Sequence, residues 1–427
     1  MASAGILFGL MFLFMFLCIP VGIAIALACC GLALITGTVD LSLIPSKMIM
    51  GNDSFIFLAV PMFTFAGYLM EEGNLSERLV DWVNKLFGRA HGSMGVVTIV
   101  TCAIFAALTG SGAATTASVG AIMYPLMRKA GYADQDAAGI IASGGVLGPI
   151  IPPSIPMIIY GSAMGVSISA MFLGGVIPGL IMAGGFLVYN RWYAVHHKLP
   201  RSEVKYTVKE KLQATWKSLG VLFLPVLILG GIYGGLFTPT EAAAAAIVYS
   251  TILMIFYKRF SFKRYFRVMQ RTASTTGVIL LIVAISNAFS FLLTKERIPT
   301  TLTDAAVPLL HNQYIYLAVV IIIFLIAGAL MDTSPALLIL APILVPIGVE
   351  FGLGELHLGV LMCIIMISGL ITPPFGLNLF TISSTSGVSF EKATKGALPM
   401  IIICIIVCIL CAYIPQLITF LPSVVGS

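Results

Sequence analysis

The chain has 427 residues, of which 59% are hydrophobic and only 9% charged, with a formal net charge of +6. A soluble domain places roughly a quarter of its residues as Asp, Glu, Lys or Arg, so this inventory cannot cover a water-facing surface. The mean hydropathy of +1.06 reflects an apolar excess along the whole length, which excludes a soluble domain with one anchor. Lipid demands that every backbone donor and acceptor be satisfied internally, so only helices and closed barrels span it. The windows here are continuous apolar runs rather than ten-residue alternations, which excludes the barrel and predicts a polytopic all-α protein embedded in a lipid bilayer.

In chain order the apolar windows fall at 4–37, 55–70, 92–127, 137–165, 169–195, 217–236, 240–257, 272–294, 313–349, 357–384 and 396–421. The N-terminal run has no charged leader and no AxA-type cleavage site, so it reads as a retained first helix. The segment 76–87 has apolar residues at helical spacing among mixed charges and reads as an interfacial arm. Windows 92–127 and 313–349 are too long for one span. Each is interrupted by polar or small residues, at 108–116 and at 330–336. Arms of about 15 residues reach only ~22 Å, which predicts two re-entrant hairpins with tips at 109–116 and 331–335. Such tips are tolerated where protein or water surrounds them.

Two short loops, 191–217 and 258–271, hold thirteen of the 23 Lys and Arg residues. Short basic loops stay in the cytoplasm, and the spans 217–236 and 240–257 then form one out-and-back pair. The eight cysteines lie in apolar windows without metal-ligand spacing, and the five histidines fall in or beside polar loops. The basic excess therefore reports orientation, and nucleic acid is not an expected partner.

The chain matches itself without gaps at an offset of 221, from 105–178 to 326–399. Pro125 meets Pro346, Gly131 meets Gly352 and Asp134 meets Glu355. Gly148-Pro149-Ile150-Ile151-Pro152-Pro153 meets Gly369-Leu370-Ile371-Thr372-Pro373-Pro374, and Phe63-Thr64-Phe65 weakly echoes Phe289-Ser290-Phe291. With both basic loops inside, the first hairpin opens from the cytoplasm and the second, flanked by Glu350 and Glu355, from outside. The copies are thus expected to be inverted, a recurring plan of secondary transporters, with the N-terminus cytoplasmic and the C-terminus periplasmic. The expected organisation is scaffold helices and arm (1–91), a first core of hairpin and broken helix (92–178), scaffold helices and basic loops (179–312), a second such core (313–399) and a C-terminal helix (400–427).

Glycine and proline open the backbone of the two broken helices. The freed carbonyls suit Na⁺, and half-helix N-termini favour a carboxylate. Hydroxyls of Thr109, Ser111, Ser154, Thr333, Ser334 and Thr372 and the amide of Asn378 add neutral ligands. Asp332 is an ionisable residue at membrane depth and so a functional candidate. It is expected to ligand Na⁺, to carry a proton, or to lie shallow enough to be solvated, in that order. No P-loop, HExxH or GxSxG sequence appears, so ATP hydrolysis and intramembrane enzyme chemistry are not expected; the alternatives to a Na⁺-coupled carrier are a proton-coupled carrier and a non-transporting scaffold or channel-like component.

The segments GSGAATTASVGAIMYPLMRKAGY, GGVLGPIIPPSIPMIIYG, MDTSPALLILAPILVPIG and GLITPPFGLNLF resemble the large membrane subunit of TRAP transporters, the DctM family. The resemblance covers nearly the whole chain. It implies a Na⁺-driven importer of the bacterial inner membrane, moving small organic acids of the C4-dicarboxylate or sialic-acid type by an elevator mechanism. General likeness leans towards sialic acid. It also implies two partners, a periplasmic substrate-binding protein and a small four-helix membrane subunit. Carried onto this chain, the substrate candidates are Ser111, Gly112, Ser154, Asp332, Thr333 and Asn378. The Na⁺ candidates are Ser111, Gly145, Gly148, Pro152, Asp332, Thr333, Ser334, Gly369, Thr372 and Gly376.

Overall fold

The structure is a computed structural model that describes residues 2–200 and 206–425. Arg201, Glu203 and Lys205 of the first basic loop lie outside the described residues. Every regular element among the described residues is helical, and nine helical stretches are long and apolar enough to cross a membrane. The chain is an all-α polytopic membrane protein.

The first five helices are α1 (Ala2–Phe16), α2 (Val21–Thr36), α3 (Leu43–Asn52), α4 (Ala59–Glu72) and α5 (Leu75–Phe87). The window 4–37 is thus two helices and not one. The chain turns at Cys18, whose φ is 59°, and Pro20 cannot accept a place inside a continuing helix because it lacks an N–H. Helix α5 is the amphipathic arm. Leu75, Leu79, Val80 and Val83 are buried while Glu77 and Asp81 face out, the spacing of one apolar stripe. Trp82 Nε1 donates to Thr215 Oγ1 at 2.9 Å and pins the arm.

Next come α6 (Ser93–Thr109), α7 (Gly112–Lys129), α8 (Asp134–Ile150), α9 (Ile155–Met164) and α10 (Ile168–His196), then α11 (Val208–Tyr233), α12 (Pro239–Phe256), α13 (Phe262–Lys295) and α14 (Ile298–Leu310). The chain closes with α15 (Gln313–Leu330), α16 (Thr333–Glu350), α17 (Glu355–Ser368), α18 (Leu377–Ser386), α19 (Phe390–Tyr413) and α20 (Gln416–Val425). The offset of 221 carries the helix boundaries with it. Helices α6 and α15 end at 109 and 330, α7 and α16 run 112–129 and 333–350, and α8 and α17 begin at 134 and 355. The hairpin arms have 17 or 18 residues, somewhat longer than expected, because α7 and α16 continue past the apolar run to Lys129 and Glu350.

The correspondence also reaches upstream. Helices α5 and α14 each have 13 residues, and each follows a non-glycine residue in the left-handed region, Asn74 (φ 54°) and Arg297 (φ 53°). Helices α10 and α19 run unbroken across residues 178 and 399, where the sequence match ends.

The two broken helices are the most enclosed elements. Every residue of 137–150 in α8 and of 357–368 in α17 is buried. Their second halves are exchanged between copies. Helix α9 packs on α16 and α17, and α18 packs on α7 and α8. Helices α8 and α19 cross at Gly139 and Gly396, where a Cβ on Gly139 would lie 2.2 Å from the Gly396 carbonyl carbon. Only glycine permits that approach. Helices α4 and α13 pack on one another and reach the hairpins, α4 on α6 and α7 and α13 on α16.

Candidate functional site

Each hairpin turns on two residues, Gly110-Ser111 in the first and Met331-Asp332 in the second. Gly110 has φ 60° and sits so close to the 151–154 connector that a Cβ there would lie 2.7 Å from the Pro153 carbonyl oxygen. Ser111 caps α7, its Oγ accepting the Ala114 N–H at 3.4 Å. Thr115 Oγ1 donates to the Ser111 carbonyl at 2.8 Å and lies 3.0 Å from Thr109 Oγ1. Asp332 caps α16, its carboxylate accepting the Thr333 N–H at 2.7 Å. These caps answer N–H groups that the first turn of a helix leaves unpaired.

The breaks follow from the prolines. Helix α8 stops at Ile150, and the chain restarts as α9 from Ser154, whose Oγ accepts the Met157 N–H at 3.4 Å. Helix α17 passes through a 3₁₀ turn at 369–371 and the run Thr372-Pro373-Pro374-Phe375 before restarting as α18 at Gly376, where φ is 44°. The Pro152-Pro153 and Pro373-Pro374 peptide bonds are both cis.

Both tips and both restarts meet at one cavity of about 210 Å³. Its walls include Thr109 to Ala114, Asp332 to Ser334, Pro149, Ile155, Pro156, Leu370 and Leu377. Helices α4 and α13 close it with Thr64, Gly67, Tyr68, Thr275 and Ile279. The first residues of four helices stand on this wall, namely Gly112 of α7, Ile155 of α9, Thr333 of α16 and Leu377 of α18. Helix N-termini carry partial positive charge and free N–H groups. The cavity can therefore attract an anion although no Lys, Arg or His lines it among the described residues. Its one formal charge is Asp332, which faces the open space and has no ion-pair partner among the described residues.

Of the residues singled out from the sequence, Ser111, Gly112, Asp332, Thr333 and Ser334 line the cavity. Ser154 is fully buried beside it, and Pro152 lies in the connector. Gly145, Gly148 and Asn378 stand behind the first tip instead. A Cβ on Gly145 would lie 1.9 Å from Thr116 Oγ1, 2.9 Å from Asn378 Nδ2 and 2.9 Å from the Gly112 carbonyl oxygen. A Cβ on Gly148 would lie 2.8 Å from the Ser111 carbonyl oxygen. Asn378 Nδ2 donates to the Ala142 carbonyl at 3.1 Å, while Asn378 Oδ1 and Thr116 Oγ1 are buried without a partner. Unpaired buried oxygens are rare because they carry a full desolvation cost. The Thr116 hydroxyl and the Gly112 carbonyl are neutral oxygens suited to a small cation, and Asn378 turns its amide nitrogen towards Gly145 and its Oδ1 towards Gly112. At the second tip, Gly369 packs on the Gly328 backbone, Thr372 Oγ1 donates to the Ser368 carbonyl at 3.1 Å, and Gly376 faces Leu379.

Sequence reasoning placed Thr116 at the end of the first tip without naming it as a ligand, and it did not pick out the wall residues Thr64, Tyr68 and Thr275. Their signal was weak, a few polar residues inside apolar windows, together with the echo at Phe63-Thr64-Phe65.

Comparison with known proteins agrees with this architecture. The family model described as "Tripartite ATP-independent periplasmic transporter, DctM component" matches residues 8–417. The 2,3-diketo-L-gulonate TRAP transporter large permease protein YiaN of Escherichia coli is 38% identical over 93% of this chain and 94% of its own length. The C4-dicarboxylate large permease protein DctM of Pseudomonas aeruginosa is 38% identical over 89% of each chain. The sialic acid large permease protein SiaM of Vibrio cholerae is 32% identical over 95% of each. Among solved structures, the YdaH transporter of Alcanivorax borkumensis superposes with a TM-score of 0.62, at 14% identity over 86% of this chain and 87% of that one. That likeness shows the fold alone. With the family model spanning almost the full length, the chain belongs to the DctM family, the large permease component of TRAP transporters.

Proposed function

We propose that this chain is the translocating subunit of a Na⁺-coupled secondary transporter that imports a small organic acid across the bacterial inner membrane. The observation that carries this reading is the single cavity where two hairpin tips and four helix N-termini meet. Dipoles aimed at an enclosed space bind a carboxylate without a basic side chain. The acid shares the cavity with the Asp332 carboxylate, so a cation bound nearby would offset their repulsion. The oxygens of Thr116 and Gly112 near Gly145, with Asn378 Oδ1 beside Gly112, are the best-supported Na⁺ position, and Asp332 with Thr333 and Ser334 is the second.

The substrate class follows relatives whose names specify 2,3-diketo-L-gulonate, C4-dicarboxylates and sialic acid. The shared chemistry is a carboxylate on a small polar body. A periplasmic binding protein would deliver it, and a small four-helix membrane subunit would brace the scaffold side. The basic segment 258–271 is assigned to the cytoplasm by its charge. The hairpins and broken helices would then slide as one body against α4 and α13, which is elevator-type alternating access.

A cysteine at Ala113, on the cavity wall, tests the cation coupling. Na⁺, and not K⁺, is expected to slow its thiol modification about tenfold, because a tip ordered by bound ions opens less often. Equal rates in both salts would remove Na⁺ from the tips. Slowing by acid beyond that of a free thiol in solution would assign the coupling to a proton on Asp332.

A further inference from the structure

Beyond the central cavity, a second polar cleft of about 570 Å³ lies among the ends of α4 and α13, the start of α5 and the flank of α7. The two spaces share three helix faces. On α4, Thr64, Gly67 and Tyr68 line the cavity, and Glu71 and Glu72 line the cleft. On α7 the wall passes from Ala113 and Ala114 to Ala117, Ser118, Ala121 and Ile122. On α13 it passes from Ile279 and Thr275 to Arg267 and Arg264. Steps of three and four residues keep one face of each helix along this path.

The boundary between the two spaces is a small hydrogen-bonded lintel. Tyr68 OH lies 3.1 Å from Thr275 Oγ1, and the Arg271 guanidinium stands 4.1 Å from the Tyr68 ring centre. Arg271 in turn holds Glu71 at 2.8 Å.

The charges of the cleft differ from those of the cavity. Glu71 is taken by Arg271, and Glu72 by Arg267 at 3.1 Å. Asn74 Nδ2 donates to Glu77 at 3.2 Å. Arg259 and Arg264 line the same cleft with no acidic partner within ion-pair distance among the described residues, Arg264 donating to the Arg259 carbonyl at 3.3 Å, and Glu77 likewise has no basic partner among them. Glu71 Oε2 and Ser118 Oγ are buried there without a hydrogen-bond partner. A cleft that keeps two arginines unpaired beside two exchangeable ion pairs is built to receive an anion. We propose that it is a second anion-binding station on the cytoplasmic side, where Arg264 and Arg267 receive the carboxylate of the transported acid as it leaves the cavity. Arg267 exchanges Glu72 for that carboxylate and returns to Glu72 on release. The proposal rests on the transport reading for its direction. The anion is a solute and not a lipid phosphate, because both arginines open onto the flank of α7 and the path to the tips.

A cysteine at Ala121, an exposed residue of the cleft wall, reads the local field without any need for transport. The full chain in zwitterionic nanodiscs is treated with an anionic sulfonatoethyl and a cationic trimethylammonioethyl methanethiosulfonate. After normalisation to mercaptoethanol, the anionic reagent is expected to react about tenfold faster, because Arg271 and Arg267 neutralise Glu71 and Glu72 while Arg259 and Arg264 outnumber Glu77. Arg264→Gln with Arg267→Gln leaves Arg259 against Glu72 and Glu77 and should bring the ratio to unity or below. Arg264→Gln alone, which breaks no ion pair, serves if the double variant is not monodisperse. Succinate or N-acetylneuraminate at millimolar concentration should slow the anionic reagent about threefold by occupancy. A ratio near unity in the unsubstituted cleft, or slowing only when phosphatidylglycerol is added, would overturn the proposal. Failure of uptake with this charge ratio intact would count against the transport reading and leave the anion station standing.

Discussion

Asn378 and Thr116 explain why position 145 holds glycine. Any side chain there would enter the space that the Thr116 hydroxyl occupies, 1.9 Å from a built Cβ. Gly145→Ala is expected to cut Na⁺-driven uptake at least about tenfold, the scale on which misplacing a ligand group by a fraction of an ångström acts, while size-exclusion profiles stay unchanged. Asp332→Asn should raise the Na⁺ concentration for half-maximal uptake and lower its rate, and Ser111→Ala should weaken the α7 cap by about 1 kcal/mol and lower uptake. Wild-type Na⁺ curves for both would take the tips out of the mechanism. Ser111 and Asp332 were legible because a polar tip recurs in register in two copies. Thr64 and Thr116 were not. A threonine in an apolar helix is as easily satisfied by its own backbone, and Thr64 does donate to the Val60 carbonyl at 2.8 Å.

Helices meet most closely where glycine faces glycine. The α8–α19 crossing at Gly139 and Gly396 leaves no room for a methyl group on either. Gly139→Ala or Gly396→Ala should cost about 1–3 kcal/mol through overpacking and lower the thermal unfolding midpoint measured on detergent-solubilised protein. An unshifted midpoint in both would show that the helices can separate freely there. Most elements could be read from apolar runs, and α5 from its stripe. The separate α1 and α2, the split of α19 from α20 near Pro415 and the arm α14 could not. A continuous apolar run does not reveal a turn when the turn residues, such as Cys18 and Ile19, are themselves apolar. Helix α14 has polar residues at Thr300, Thr301, Thr303 and Asp304 that mask its kinship with α5, so only its length, its left-handed entry and its place before α15 show it.

For the molecule as a whole, the proposed sliding of one body on another has a direct signature. Gly67 of α4 touches Thr109 at the first tip, with a built Cβ 3.4 Å from the Thr109 Cβ, a separation that a disulfide can bridge. Oxidising a chain that carries Gly67→Cys and Thr109→Cys should stop uptake, and a reductant should restore it. Full uptake by the cross-linked chain would contradict movement at that contact. Inversion of the two copies predicts cytoplasmic labelling of a cysteine at Lys209 and periplasmic labelling at Glu350, and same-side labelling would contradict it. The sequence revealed the repeat through its glycines and prolines. It could not reveal the exchange of α9 and α18 between hairpins, which depends on contacts more than 200 residues apart, such as Asn378 with Ala142. The central claim is coupled transport, and uptake into proteoliposomes tests it most directly. The vesicles should hold this chain and its small membrane partner, with the loaded binding protein outside, and be assayed with and without an inward Na⁺ gradient. Carboxylate accumulation that requires both the gradient and the binding protein is the expected result. No accumulation under any Na⁺ or proton gradient, from a monodisperse and correctly oriented sample, would contradict it.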